Sequence, residues 1–347
     1  MIKIGLIGAG FMGAMHASCY EALAGGRDDF RVTAVADDDP AKAAKLAGKL
    51  GADVYASAEA LMREADVNAV DICLPTHLHF ETAASAMKNG FDVFVEKPVC
   101  LTESEAETLL ALQRETGAQA MVGQCIRFWP EYTELKRLKD SGVYGRLLSG
   151  VFKRISPRPG WAWNGWLHDP AKSGSAALDL HVHDVDFVRS LLGEPDRLVA
   201  ETVSRDGANG HIFSLYRYGD AVVSLEGGWD YPETFPFEMA YRVSFERATV
   251  VFSSAADPSL RIYEAGGGVI EPKPEASTPA AGDGDSGGNI SSLGGYYNEL
   301  RYFLDCLAAG RPIEQSTLQD GCDSLKLTLR EIAAAHHAAG NEGGKRT

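Results

Sequence analysis

Apolar residues in the first 123 positions gather into short runs at Ile2–Ile7, Phe30–Ala36, Asp53–Tyr55, Asn68–Leu74, Phe91–Val95 and Ala120–Gly123, each the length of a buried strand. Between them lie stretches with helical patterning: Ala14–Leu23, Ala41–Leu50, one near Glu59–Glu64, Phe80–Asn89 and one from Thr102 to about Thr116. Local stops and starts agree with this division. Asp39 and Pro40 suit an N-cap and first helical position, Gly51 and Gly90 end helices, and Thr102-x-x-Glu105 is a capping box. Six strands alternating with helices of about ten residues predict a parallel, doubly wound α/β sheet over residues 1–123.

Beyond Gln124 the pattern changes. A helix is expected at Glu131–Asp140, a strand at Leu147–Ile155, a loop carrying Trp161, Trp163 and Trp166, and a helix at Ser175–Leu192. The runs Leu198–Ser204, His211–Tyr218, Ala221–Trp229, Phe237–Phe245 and Thr249–Phe252 have no helices between them, so they should pair largely antiparallel. Glu264–Gly295, rich in Gly, Pro, Ser and Asp, is too poor in apolar groups to pack and is expected as a mobile surface loop. Helices at Tyr296–Ala309 and Leu318–Ala339 and a polar tail from Gly340 close the chain. Residues 124–340 therefore form a second, α+β domain, whose final helices are free to pack back on the first. There is no internal repeat.

Composition narrows the function classes. The 347 residues are 45% hydrophobic and 23% charged, as in an ordinary globular protein, and the formal net charge of −15 argues against nucleic acid or an anionic membrane as partner. The six cysteines form no C-x-x-C pair and are expected as buried thiols in a reducing compartment. Without a signal peptide or a spanning apolar run, the expected location is cytoplasmic.

The candidate chemistry begins where the first strand ends. Gly8-Ala9-Gly10-Phe11-Met12-Gly13 has the glycine spacing that turns a strand into a helix around a pyrophosphate. Asp37 ends the second strand, 24 residues past Gly13, where an acid accepts hydrogen bonds from an adenosine ribose. With Asp38 beside it and no arginine, a 2′-phosphate would meet like charge, which favours NAD over NADP. Glu96-Lys97-Pro98 ends the fifth strand, on the sheet edge where ligands of such sheets bind. In the segment Ser173 to Asp186, Asp179 and His183 are four apart and share a helix face about 40° apart. A core role for His183 and a solvated strand-end role for Lys97 are the competing expectations. A metal centre built from His77, His79, His168, His181 and His183 is disfavoured, because His181 and His183 at i,i+2 do not share a face. The Trp161–Trp166 loop serves packing or, through aromatic rings on sugar C–H faces, a polyol.

Gly8-x-Gly10-x-x-Gly13, Pro75-Thr76-x-x-His79, Glu96-Lys97-Pro98 and Asp179-x-x-x-His183 together resemble, in order and spacing, the motifs of the Gfo/Idh/MocA oxidoreductase family over essentially the whole chain. The resemblance implies an N-terminal Rossmann domain and a C-terminal domain with a large, open, mainly antiparallel sheet that commonly mediates homodimers or homotetramers. It implies Lys97, Asp179 and His183 as a catalytic triad, and Thr76, His79 and Glu96, after Pro75, on the nicotinamide side. His181 departs from the family, which often has glycine there, so an imidazole reshapes the pocket or donates to substrate. Arg127, in Gln124-x-x-Arg127-Phe128-x-Pro130, matches a further family run and either touches substrate or forms a structural salt bridge. The expected reaction is NAD-dependent hydride transfer at a secondary hydroxyl of a sugar or cyclitol. NAD-dependent glycoside hydrolysis through transient oxidation and a non-catalytic NAD or sugar sensor are the alternatives.

Overall fold

The strand β1 (Ile2–Ile7) is apolar on both faces, Lys3 aside, and so takes the centre of a sheet covered on both sides. The computed structural model describes residues 1–160, 162–205, 208–273 and 293–342. With β2 (Phe30–Ala36), β3 (Asp53–Tyr55), β4 (Ala69–Ile72), β5 (Asp92–Glu96) and β6 (Ala120–Gly123), β1 builds a six-stranded sheet in the order β3-β2-β1-β4-β5-β6. All its pairs are parallel. The strand order reverses between β1 and β4, which opens a crevice at their carboxyl ends. Helix boundaries follow local chemistry. Asp39 Oδ1 accepts from the N–H groups of Ala41 (3.0 Å) and Lys42 (3.3 Å) ahead of the helix Pro40–Leu50, which ends on left-handed Gly51. Thr102 and Glu105 form both halves of the expected capping box on Glu103–Thr116.

Two compact units result, one from Met1–Trp129 with Ser277–Asp323, the other from Pro130–Ala276 with Ser324–Thr347. The first unit thus runs past residue 123 to Trp129 and takes in a C-terminal piece, as the expected packing of the final helices on the first domain allows. The turn Cys125–Phe128 stays with the first unit because the helix Gly294–Ala309 starts against it. A Cβ on Gly295 would lie 2.2 Å from the Cys125 carbonyl oxygen, and Asn298 donates to the Phe128 carbonyl at 3.1 Å. Residues before the last helix extend the β6 edge: Val122 N–H donates to Ser316 O at 2.9 Å, and the Ser316 hydroxyl donates back to Val122 O at 2.7 Å. The core of this unit joins Leu6, Phe94 and Met121 to Leu300 and Phe303 from that C-terminal helix.

The second unit is an eight-stranded sheet. Its strands are β7 (Leu147–Pro157), β8 (Arg197–Arg205), β9 (Ala208–Tyr218), β10 (Ala221–Tyr231), β11 (Glu238–Phe245), β12 (Ala248–Ser253), β13 (Leu260–Glu264) and β14 (Val269–Ile270), in the order β14-β13-β12-β11-β7-β10-β9-β8. Only β7 and β10 pair in parallel. One face packs Phe152, Tyr241 and Phe252 with Tyr132 of the helix Pro130–Ser141 and Phe187 of the helix Val182–Leu192. The opposite face leaves Val199, Leu215 and Val151 exposed along one cross-strand row with Ser224, and Val203 and Phe213 exposed further along β8 and β9.

Three expectations change. The helix expected at Ser175–Leu192 is present but contains a π turn, Ala177–His181, ahead of the α-helix Val182–Leu192. The last helix runs to Glu342 rather than ending at Ala339. Of the expected loop Glu264–Gly295, Val269–Ile270 pairs as β14 and Gly294–Gly295 already belong to a helix, while 274–292 lie outside the described residues. All six cysteines are buried and none is in a disulfide. No described helix is long and apolar enough to cross a membrane.

Candidate active site

The glycine loop is built by steric necessity. Gly8 has φ +100°, and a Cβ there would lie 2.6 Å from the Cys73 carbonyl oxygen, while one on Gly13 would lie 1.9 Å from the Gly8 carbonyl oxygen. Gly10 differs. A Cβ there meets nothing within 4 Å, and Gly10 is the N-cap of the helix Phe11–Ala24 with no side-chain hydrogen bond. No side chain caps this helix and no acidic side chain stands in its first turn, which leaves the positive end of the dipole for an anion. Asp37, just past β2, closes the loop from the side: its Oδ2 accepts from Ala9 N–H at 2.6 Å and its Oδ1 from Asp39 N–H at 2.8 Å. Each oxygen keeps a lone pair for a ribose hydroxyl. Ala9 is buried, and Phe11 and Met12 are half-buried behind the loop. These residues fit a dinucleotide: Gly8 to Gly13 would hold the pyrophosphate and Asp37 the adenosine ribose.

Beside β1, the ends of β4 and β5 are tied together by His79. Its Nδ1 is 2.7 Å from the Pro98 carbonyl oxygen and its Nε2 2.7 Å from that of Leu74. Burial pushes this imidazole's pKa down, against the pull of those carbonyls. His79 and Thr76 are both buried, so His79 acts on backbone; Pro75 is half-buried. Glu96, also buried, accepts from Lys97 N–H at 3.1 Å through Oε2. Lys97 is half-buried, and its bond to Pro98 is cis.

Beneath Glu96 lies a polar cluster that the motifs do not reveal. His16 Nε2 is 3.1 Å from Glu96 Oε1, and His16 Nδ1 is 2.8 Å from Asp71 Oδ2, which also accepts from the Tyr20 hydroxyl at 2.9 Å. Burial alone would lower the His16 pKa, but Asp71 together with Cys73, whose Sγ lies 3.2 Å from Nδ1, outweighs it and holds it well above its ordinary value. Burial pushes the Tyr20 hydroxyl up, and Asp71 adds to this. Glu299, from Gly294–Ala309, completes the cluster. The sequence carried one signal for it: His16 and Asp71 stand between apolar neighbours, and a buried charge in such a setting needs a partner.

Arg127 forms a partly buried ion pair, its Nη1 3.1 Å from Asp320 Oδ2. Burial would raise the Asp320 carboxyl, but Arg127 and the Thr317 hydrogen bonds hold it below the usual range. This is the salt bridge expected as one of the two roles of Arg127.

In the second unit, Asp179 lies in the π turn and His183 in the first turn of the following α-helix. The wider turn advances less per residue than an α turn, so it reduces the offset of about 40° that four α-helical steps leave. Asp179 is half-buried and His183 is 7% exposed. His181 is not on that surface. It is completely buried, its Nε2 3.2 Å from Glu331, which also accepts from the Tyr216 hydroxyl at 2.6 Å. Gly227 of β10 makes room for it, since a Cβ there would fall 2.6 Å from the imidazole. In place of the expected contact with substrate, His181 makes a hydrogen-bonding contact with Glu331 in the core. Trp166 packs with Leu167, Ala176 and Trp229, Trp163 is 48% exposed, and Trp161 lies outside the described residues. None of His77, His79, His168, His181 and His183 joins a converging group of His, Cys and carboxylate donors among the described residues.

Comparison with known proteins agrees with both units. Residues 2–124 match the model described as "Oxidoreductase family, NAD-binding Rossmann fold", and residues 132–251 match the "GFO/IDH/MocA C-terminal domain". The chain is 28% identical over 346 residues to inositol 2-dehydrogenase of Rhizobium meliloti (strain 1021), covering 96% of this chain and 97% of that protein. It is 30% identical over 209 residues to 2,7-anhydro-N-acetylneuraminate hydratase of Escherichia coli (strain K12), covering 60% of this chain and 53% of the other. The fold superposes on levoglucosan dehydrogenase in complex with NADH and levoglucosan with a TM-score of 0.84 at 20% identity, over 97% of each chain. The uncapped glycine loop, the acid after β2 and the paired domain matches lead to one assignment: the chain belongs to the GFO/IDH/MocA oxidoreductase family, with an NAD-binding Rossmann domain at its N-terminus.

Proposed function

We propose that the protein is a dehydrogenase acting on CH–OH groups, transferring a hydride between NAD and a secondary alcohol or ketone of a sugar or cyclitol. The observation that carries this reading is the open, uncapped helix N-terminus at Gly10 with Asp37 beside it, in a chain related over its length to an inositol 2-dehydrogenase. Asp37 and Asp38 support NAD over NADP, because neither could face a 2′-phosphate without repulsion. Bound nicotinamide would supply the hydride acceptor. His183 takes the hydroxyl proton as general base, Lys97 stabilises the negative charge developing on the same oxygen, and Asp179 fixes a neighbouring hydroxyl or orients the base. Thr76, His79 and Glu96 hold the nicotinamide side in shape, and exposed Trp163 offers a ring to the C–H face of the sugar.

The test is single-turnover kinetics with NAD against a panel of inositols, aldoses and sugar acids. Lys97→Ala and His183→Ala should each slow hydride transfer about 10²- to 10⁴-fold while NAD still binds. Wild-type rates in either variant would remove its role. The relationship to a hydratase favours keeping a second reading, in which oxidation is transient and the net reaction redox-neutral. Product formation without accumulating NADH would select it. The exposed apolar row on the second unit's sheet supports a homodimer or homotetramer formed through that face.

A further inference from the structure

Glu299 is the one member of the buried cluster whose position no hydrogen bond explains. It has no exposed surface, and neither carboxyl oxygen has a hydrogen-bond partner. Donor atoms of His16, Glu96 and Glu299 nevertheless lie within 4.8 Å of one another. Both nitrogens of His16 face carboxylate oxygens, Asp71 on one side and Glu96 on the other, and only the imidazolium can donate to both. One imidazolium thus already serves both carboxyl groups. Glu299, completely buried against the same cluster, has no donor left to it, and the neutral acid is the form that fits.

The groups facing Glu299 from the packed elements are Glu96 at the end of β5, Asp71 on β4, and His16 and Cys19 on the first helix, with Tyr296 from its own helix. Burial pushes its pKa well up, and Glu96 and Asp71 push it further than His16 pulls it back. Glu96 immediately precedes Lys97, so it connects this pocket to the sheet edge assigned above to the nicotinamide. The oxidised ring carries a positive charge that the reduced ring lacks. A cation near Glu96 eases the repulsion that keeps Glu299 neutral, and its disappearance restores it.

We propose that Glu299 is a redox-linked proton site, holding a proton when the reduced dinucleotide is bound and releasing it to solvent when the oxidised one is bound. The proposal rests on the dinucleotide reading of the first unit. No bond other than the carboxyl O–H forms or breaks, and no electron reaches the protein. Glu299 is a positioning residue that answers the ring's charge through Glu96.

The experiment measures protons exchanged when NAD⁺ or NADH is added, without substrate, to the full chain in weak buffer containing a pH indicator. The expected result is that NADH binding takes up more protons than NAD⁺ binding, by up to about one per chain. In Glu299→Gln, which mimics the neutral acid, both dinucleotides should bind and the difference should vanish. Infrared spectra of wild-type protein labelled with ¹³C-glutamate provide a readout independent of that variant's folding. A protonated-carboxyl band from glutamate should be strong with NADH and weak with NAD⁺. Equal proton counts for the two dinucleotides, a difference that survives in Glu299→Gln, an unchanging band, or a stoichiometric metal ion in the purified protein would each overturn the proposal. Failure of both dinucleotides to bind would instead bring down the cofactor reading, and this one with it.

Discussion

Two glycines of one loop serve different purposes, and substitution separates them. Gly13→Ala places a Cβ 1.9 Å from a backbone oxygen that cannot move without unwinding the turn, so it should cost about 3 kcal/mol of stability as well as dinucleotide binding. Gly10→Ala places its Cβ in open space at an ordinary φ of −76°. Its melting temperature should stay near wild type while the Kd for NAD rises at least about tenfold, because the methyl group occupies the phosphate's approach. Thermal melts and NAD titrations of the two variants check both outcomes. Arg127 is a residue of the other kind. Arg127→Ala should cost on the order of 1–2 kcal/mol by stranding Asp320 in a partly buried site. Asp320 is held below its unfolded pKa, so its contribution is present above about pH 3.9 and lost as pH falls through the folded value. The wild type's advantage over the variant should therefore shrink in urea melts below that pH. The sequence left Arg127 between substrate and salt bridge because the partner is 193 positions away, and no local spacing reveals it.

At the scale of elements, the capped helices and the parallel strands were legible because their causes are local: Asp39-Pro40, Thr102 with Glu105, and apolar runs of strand length. The π turn was not. Its cause is non-local, since His181 must reach Glu331 and the bare backbone of Gly227 while the helix after it still packs Phe187 against the sheet. The cluster beneath Glu96 is likewise assembled from four elements, and it predicts a pH dependence. Glu299 and His16 both hold protons in the folded chain at pH values where the unfolded chain has released them. Their contributions are complete below the unfolded values, about 4.3 and 6.5, and are lost as pH rises toward the folded ones. Urea unfolding of Glu299→Gln should show a shallower decline of stability with rising pH, beginning near pH 4.3, and retain the decline due to His16 from about 6.5. Parallel curves for variant and wild type would contradict this assignment.

For the whole molecule, the exposed row on the second unit's sheet sets the expectation for assembly. Phe213→Asp and Leu215→Asp put charge on that face without touching its packed side. Light scattering should show the mass fall to that of a single chain, about 37.2 kDa, with near-normal circular dichroism. A single-chain mass in the wild type would end the proposal. What the sequence by itself determined was everything whose cause lies within a few residues: the glycine turn, the acid after β2, the caps, and the alternation that makes one parallel and one mainly antiparallel sheet. Tertiary structure decided which unit the C-terminal helices join, that His181 is core, that Arg127 pairs with Asp320, and that three carboxyl groups surround one imidazole. Each of these is a choice among burial partners far apart in the chain. It is settled by which polar groups find partners once water is excluded, and that is not written in the order of residues along a strand or helix.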